Sequence, residues 1–203
     1  MLALEAGNAQ VLHGCKYRHT NINGYGAGLS VAAGKSWYVP PTGCFKLNVD
    51  AAVITGGGRY GVGIVFRDDH GVVVEAAALS FIGTVSVEVA KAKAKAILEV
   101  LLFAEDMGLF PLMVESDALG VIKLCKEEFV SVGEIDNIIS DIVSLKRNCN
   151  IVSFGYIPRM CNRVAHSVAK YAVNYNCLVV RFAEYPDCLT LLAKGDLYVC
   201  SQF

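Results

Sequence analysis

The chain has 203 residues, a formal net charge of −1 and 54% hydrophobic residues. That length suits one domain with a tail at each end. The near-zero charge supplies no global basic field of the kind that coats nucleic acid, so such contacts would need a local patch. No apolar run reaches the roughly 18 residues of a membrane span, and the opening MLALEAGNAQ lacks a basic stretch followed by an apolar core, so neither a spanning helix nor a secretory signal is expected. The eight cysteines form no CxxC pair and no Cys/His cluster at zinc spacing. They read as reduced, mostly buried thiols of a nuclear or cytoplasmic protein.

Residues 1–36 are rich in Gly, Asn and Ala without clear periodicity and read as a flexible or degraded N-terminal segment. Trp37 and the pair Pro40-Pro41 mark a boundary, giving a domain over 37–175 and a C-terminal tail over 176–203. Cys44–Val53 alternates in polarity and predicts a strand. Gly56–Gly61 is a turn; its glycines fit no phosphate-cradling P-loop, because no Lys-Ser/Thr follows. Val62–Arg67 and Val72–Leu79 then form a hairpin through Asp68-Asp69-His70-Gly71, with Arg67 expected to orient that turn through Asp68 or Asp69.

A helix follows in VEVAKAKAKAILEVL, with Ser86 as its N-cap, Glu88 in the first turn and Gly108 at its end. Pro111–Asp117 is a short buried strand. Ala118–Lys126 and Gly133–Lys146 are two helices, Cys149–Ile157 a last strand, and Cys161–Val173 an amphipathic helix. The tail mixes strand and helix signals. The order β-β-β-α-β-α-α-β-α describes an α/β layered architecture on a mixed sheet.

Asp50 and Asp117 both end strands. Aspartates often do so as turn formers, but central strands of a mixed sheet can also bring such carboxylates together. Hard cations such as Mg²⁺ prefer oxygen ligands, and a carboxylate pair is a standard way to hold them.

The segments W…PP…FKLNVDAA, GVGIVFRDDHG, AKAKAILEVLLFAEDMG, VESDALGVI and YIPRMCNRVAHSVAKYA occur in one order between Trp37 and Val173, with a weaker echo in FAEYPDCLTLLAKGD. Together they resemble the ribonuclease H type-1-like domain of the plant, non-LTR retroelement-associated (reverse-transcriptase-like) group. The resemblance implies a ribonuclease H-like fold: a five-stranded mixed sheet, three antiparallel strands then parallel ones, flanked by helices. It implies Mg²⁺- or Mn²⁺-dependent hydrolysis of the RNA strand of RNA/DNA hybrids. Asp50 and Asp117 match two of the family's metal-holding acids. His166 matches the position of a further acid, where many members of the group carry histidine, and is a poor Mg²⁺ ligand.

Lys93 stands where the family has a glutamate. Glu88 and Glu99 lie roughly 140° and 120° away around the helix, so neither shares its face. An ammonium there attracts Asp50 and Asp117 and repels Mg²⁺. Two readings follow: Lys93 pairs with both aspartates and displaces the ion, or it extends along the helix surface beside Lys91 and Lys95. Tyr156 replaces a family histidine associated with product release or proton transfer, and with a pKa near 10 it is a poor proton shuttle.

His166 is read first as a helix-face histidine with a local hydrogen bond. Asn162, Arg159 and Arg163, with Lys170 beyond, are the nucleic-acid-binding candidates; a solvated charged face is the other reading. The expected protein is a monomer that meets RNA/DNA hybrid or other nucleic acid. It is either a ribonuclease with Asp50, Asp117 and His166 as catalytic residues, or a non-catalytic binding or interaction module, a domesticated or decaying retroelement fragment with no ion bound because of Lys93.

Overall fold

The computed structural model describes residues 37–53, 58–82, 88–127, 134–148, 150–175, 179–181 and 191–196. The expected lead-in over 1–36, the Ser86 cap, Gly56, Gly57 and most of the segment after 181 lie outside the described residues.

Alternation builds the first strand. In β1 (Phe45–Val53), Phe45, Leu47, Val49 and Ala51 share one face and enter the main apolar core, while Lys46, Asn48 and Asp50 occupy the other face and are also buried. β2 (Arg59–Arg67) and β3 (Val73–Ile82) continue antiparallel from it. Helix α1 (Glu88–Met107) follows, presenting Ala94, Ile97, Leu101 and Ala104 to the core at helical spacing. It stops at Gly108, whose φ of 66° favours glycine.

β4 (Leu112–Ser116) pairs parallel with β1. After α2 (Leu119–Glu127) and α3 (Glu134–Asn148), β5 (Ile151–Tyr156) pairs parallel with β4. A 3₁₀ turn (Arg159–Cys161) leads into α4 (Arg163–Tyr175). A short strand β6 (Val179–Arg181) adds antiparallel to β3, giving the order β5-β4-β1-β2-β3-β6. The five expected strands are therefore present in the expected mixed arrangement, with a sixth at the β3 edge.

The core has two layers. Val62, Ile64 and Phe66 of β2 join the helical side built on α1, α2 and α3. Val65, Ala76 and Ala78 pack instead against Val164, Ala165, Val168 and Ala172 of α4, together with Ala193. Residues 191–196 are helical, so part of the stretch expected as a tail contributes to this second layer. Cys44, Cys125 and Cys161 are buried and form no disulfide, and burial pushes the Cys125 thiol up to about 12. No helix among the described residues is long and apolar enough to cross a membrane.

Arg67 corrects an expectation. It does not serve the hairpin turn. It is 1% exposed, its Nη2 lies 2.9 Å from Asp196 Oδ2, and its guanidinium carbon lies 4.1 Å from the centre of the Trp37 ring. The turn is held by its own residues. Asp68 Oδ1 accepts from the amides of His70 and Val72, and Asp69 Oδ2 accepts from Gly43 N–H at 2.7 Å. That amide bond, ahead of the His70 charge, holds the Asp69 carboxyl below its ordinary value.

Candidate active site

The polar face of β1 is a continuous buried row. Lys46 Nζ lies 2.8 Å from Glu115 Oε1 of β4 and donates to Tyr38 O at 2.7 Å. Asn48 Nδ2 donates to Glu115 Oε2 at 3.1 Å, and Asn48 Oδ1 accepts from Trp37 Nε1 at 2.9 Å. The parallel register sets Asn48 opposite Glu115, which brings these side chains together. Asp50 is next on the same face, and it begins the candidate site.

Asp50 is 1% exposed and its carboxylate is fully engaged. Oδ1 accepts from Ala51 N–H at 2.7 Å and lies 3.1 Å from Lys93 Nζ; Oδ2 lies 2.7 Å from His166 Nδ1. Asp117 follows the end of β4, and its Oδ1 accepts from Lys93 Nζ at 2.7 Å. Lys93, on α1, therefore stands between the two aspartates with its side chain 11% exposed. Of the two readings of Lys93, the structure has the pairing. Burial, and after it the negative charge of Asp50, raises the Asp117 carboxyl above its ordinary value despite the hydrogen bond from Lys93.

His166 reaches Asp50 because of a glycine. In the β1–β2 register Gly63 is opposite Asp50. A Cβ on Gly63 would collide with the carbonyl of Ala165 and the amide of Ala169, so its absence lets α4 lie directly on β2. His166 is thereby brought to a carboxylate 116 residues away in the chain. This corrects the expected local hydrogen bond. With an ionised Asp50, Nδ1 carries the proton and donates. Arg159 Nη2 lies 3.3 and 3.2 Å from Nδ1 and Nε2, nearly equidistant, so the guanidinium sits against the ring rather than on one lone pair.

The remaining candidates separate. Asn162 is 1% exposed and donates Nδ2 to Val49 O at 3.0 Å, so it ties the start of α4 to β1. Arg163 is half exposed, with Nη2 3.4 Å from Asp196 Oδ1. Tyr156 ends β5 opposite Ser116 and is 42% exposed. Glu115, Lys46 and Trp37 were not read as neighbours of the site; the sequence signal that could have found them is the buried, alternating Lys46-Asn48-Asp50 set.

The donor set does not fit a divalent ion between Asp50 and Asp117. Lys93 already supplies the positive charge there. A dication about 4 Å from its ammonium would be repelled by about 8 kcal/mol at an effective dielectric near 20. Among the described residues, the side chains grouped closely enough to hold a metal are Asp68, Asp69 and His70 in the hairpin turn, where Asp69 Oδ1 lies 2.7 Å from His70 Nδ1. Their carboxylates serve that turn.

A cavity of about 580 Å³ opens beside the site, lined by Ala51, Ala52, Val53, Lys93, Arg159, His166, Lys170, Val173 and Asn174.

A model of the reverse transcriptase-like family matches residues 48–172, more than half of the chain. Similar solved structures include RNase H1 from the halophilic archaeon Halobacterium salinarum NRC-1, at 19% identity and a TM-score of 0.58 over 66% of this chain and 99% of that one. The N-terminal RNase H domain of Rv2228c from Mycobacterium tuberculosis aligns at 17% identity and a TM-score of 0.56, over 64% and 94% of the two chains. LC11-RNase H1, solved with an RNA/DNA hybrid, aligns at 16% identity and a TM-score of 0.54, over 65% and 98%. At these identities the likeness shows the ribonuclease H-like fold. A search of curated proteins gives no match.

Proposed function

We propose that this chain, which belongs to the reverse transcriptase-like family, is a nucleic-acid-binding module of ribonuclease H-like fold in which an ammonium has replaced the catalytic metal. The observation that carries this is Lys93 Nζ at 2.7 Å from Asp117 and 3.1 Å from Asp50. Two carboxylates that would have bound a cation are bridged by an ammonium from within the chain. Hydrolysis by metal-activated water has no place to form.

Support for nucleic acid as the partner comes from the fold and the local charge. LC11-RNase H1 was solved with an RNA/DNA hybrid. On this chain Arg159 and Lys170 line the cavity and Arg163 is half exposed. These three supply phosphate contacts, and Asn162 positions the helix that carries Arg163 and Lys170. The domain begins at Trp37 and runs through α4, with 191–196 docked on its second layer.

The test compares wild type, Lys93→Glu and Asp50→Asn on a labelled RNA/DNA hybrid in Mg²⁺ and in Mn²⁺. The expected wild type is inert yet binds the hybrid, with affinity falling as salt rises by a log–log slope of roughly −2 to −3 for about three phosphate contacts. Wild-type cleavage that Asp50→Asn abolishes would restore the ribonuclease reading. Cleavage by Lys93→Glu alone would show one charge silencing an otherwise competent site.

A further inference from the structure

We infer that the cavity beside Lys93 is a metal-independent phosphate pocket sized for a nucleoside monophosphate. The inference rests on the nucleic-acid reading and names what that site holds. Its argument starts from charge. Lys93, Arg159, His166 and Lys170 line the cavity, and among the described residues no carboxylate does. Asp50 and Asp117 lie behind Lys93, each bonded to its ammonium. Lys93 therefore makes the opening of this acidic cluster basic.

Geometry makes the cations converge. His166 and Lys170 are four apart on α4 and share a helix face. Arg159, on the preceding 3₁₀ turn, lies against the His166 ring. Among the described residues neither Arg159 nor Lys170 has a carboxylate partner, so their charge is available to a ligand. His166 is oriented by Asp50 through Nδ1, and Arg159 Nη2 lies 3.2 Å from its Nε2, so the fixed ring holds the guanidinium at the cavity. A phosphate placed here would take charge-assisted hydrogen bonds directly from the protein.

Of the remaining walls, Ala51, Ala52, Val53 and Val173 are apolar and Asn174 is polar. A volume of 580 Å³ lies within the roughly 300–1,000 Å³ of small-ligand sites. The pocket thus offers cations for the phosphate and an apolar surface for the sugar and base. A phosphate of a strand and that of a free nucleotide present the same chemistry.

The experiment is calorimetric titration of the full chain with AMP, inorganic phosphate and adenosine at low ionic strength in EDTA, beside hybrid binding by anisotropy. AMP should bind without metal, inorganic phosphate should compete, and adenosine should bind at least about tenfold more weakly. Lys170→Ala and Arg159→Ala, both at exposed positions, should each weaken AMP about tenfold with an unchanged unfolding midpoint. A requirement for Mg²⁺, or equal binding of AMP and adenosine, would overturn the pocket. Hybrid binding with no AMP binding would overturn it too, and leave the proposed function standing. AMP binding with no hybrid binding would support the pocket and overturn the nucleic-acid module. Displacement of a labelled strand by AMP would assign the pocket to strand phosphate, and failure to displace it would assign the pocket to the free nucleotide.

Discussion

Lys93 Nζ and Asp117 Oδ1 lie 2.7 Å apart, joining α1 to the segment after β4, and the same ammonium stands 3.1 Å from Asp50 Oδ1. One cation thus holds two carboxylates that burial alone would leave in mutual repulsion. Removing one partner of a buried ionic group costs about 3–5 kcal/mol, because the other charges stay behind uncompensated. Lys93→Met keeps the stem and deletes the charge, so it should lower stability by about that amount. Urea denaturation followed by the single tryptophan, Trp37, which is 2% exposed, measures it. A loss under about 1 kcal/mol would mean the ammonium behaves as an exposed charge.

The raised Asp117 carboxyl sets a pH dependence. Burial foremost, and then Asp50, raise it above 3.8. A carboxyl that holds its proton more tightly when folded contributes stability that is complete below the unfolded value. That contribution is lost as pH rises through the folded value. The stability of wild type relative to Asp117→Asn should therefore fall as pH climbs from below 3.8 through the raised value. In Lys93→Met the fall should extend further up the scale, since the hydrogen bond that opposes the rise is gone. Midpoints measured across that range for the three proteins test this. A wild-type advantage that grows with pH would mean Lys93 dominates the titration of Asp117.

The chain order of the strands could be read from alternation and helical spacing, whereas the shared place of Asp50, Asp117 and Lys93 was implied only by the resemblance that the short motifs carry. What escaped reading depends on contacts between distant segments. Nothing near His166 indicates that Gly63 removes the side chain that would hold α4 away from Asp50. Arg67 stands beside two aspartates in sequence, yet its partner is Asp196, 129 residues on. Asn162 is a polar residue in a basic stretch, and only the approach of α4 to β1 turns it inward onto Val49 O.

The Arg67–Asp196 pair predicts a structural role for the segment after β6. Both side chains are at most 5% exposed, at 2.9 Å. Asp196→Ala removes one partner of this buried pair and should cost about 3–5 kcal/mol. Arg163→Ala is the contrast. That side chain is 50% exposed and its nitrogen is 3.4 Å from Asp196, so its loss should cost no more than about 0.5 kcal/mol. Equal effects of the two substitutions in thermal unfolding would show that 191–196 is not held by the buried pair.

Gly63→Ala tests how the site is assembled rather than what it contains. The added methyl meets backbone atoms of Ala165 and Ala169, which cannot turn aside as a side chain can. Helix α4 must lift from β2, at a cost of about 2–4 kcal/mol by analogy with other overpacked positions. The lift also separates His166 Nδ1 from Asp50 Oδ2, now 2.7 Å apart. The His166 ring should therefore lose its hydrogen-bonded proton, seen as the disappearance of a slowly exchanging imidazole N–H signal in NMR. Gly120→Ala adds its methyl to open space within α2 and serves as the control; its replacement by the better helix former should leave that signal in place and stability unchanged or higher. If Gly63→Ala destabilises the fold yet keeps the imidazole signal, His166 is held by Asp50 independently of the close packing of α4 on β2.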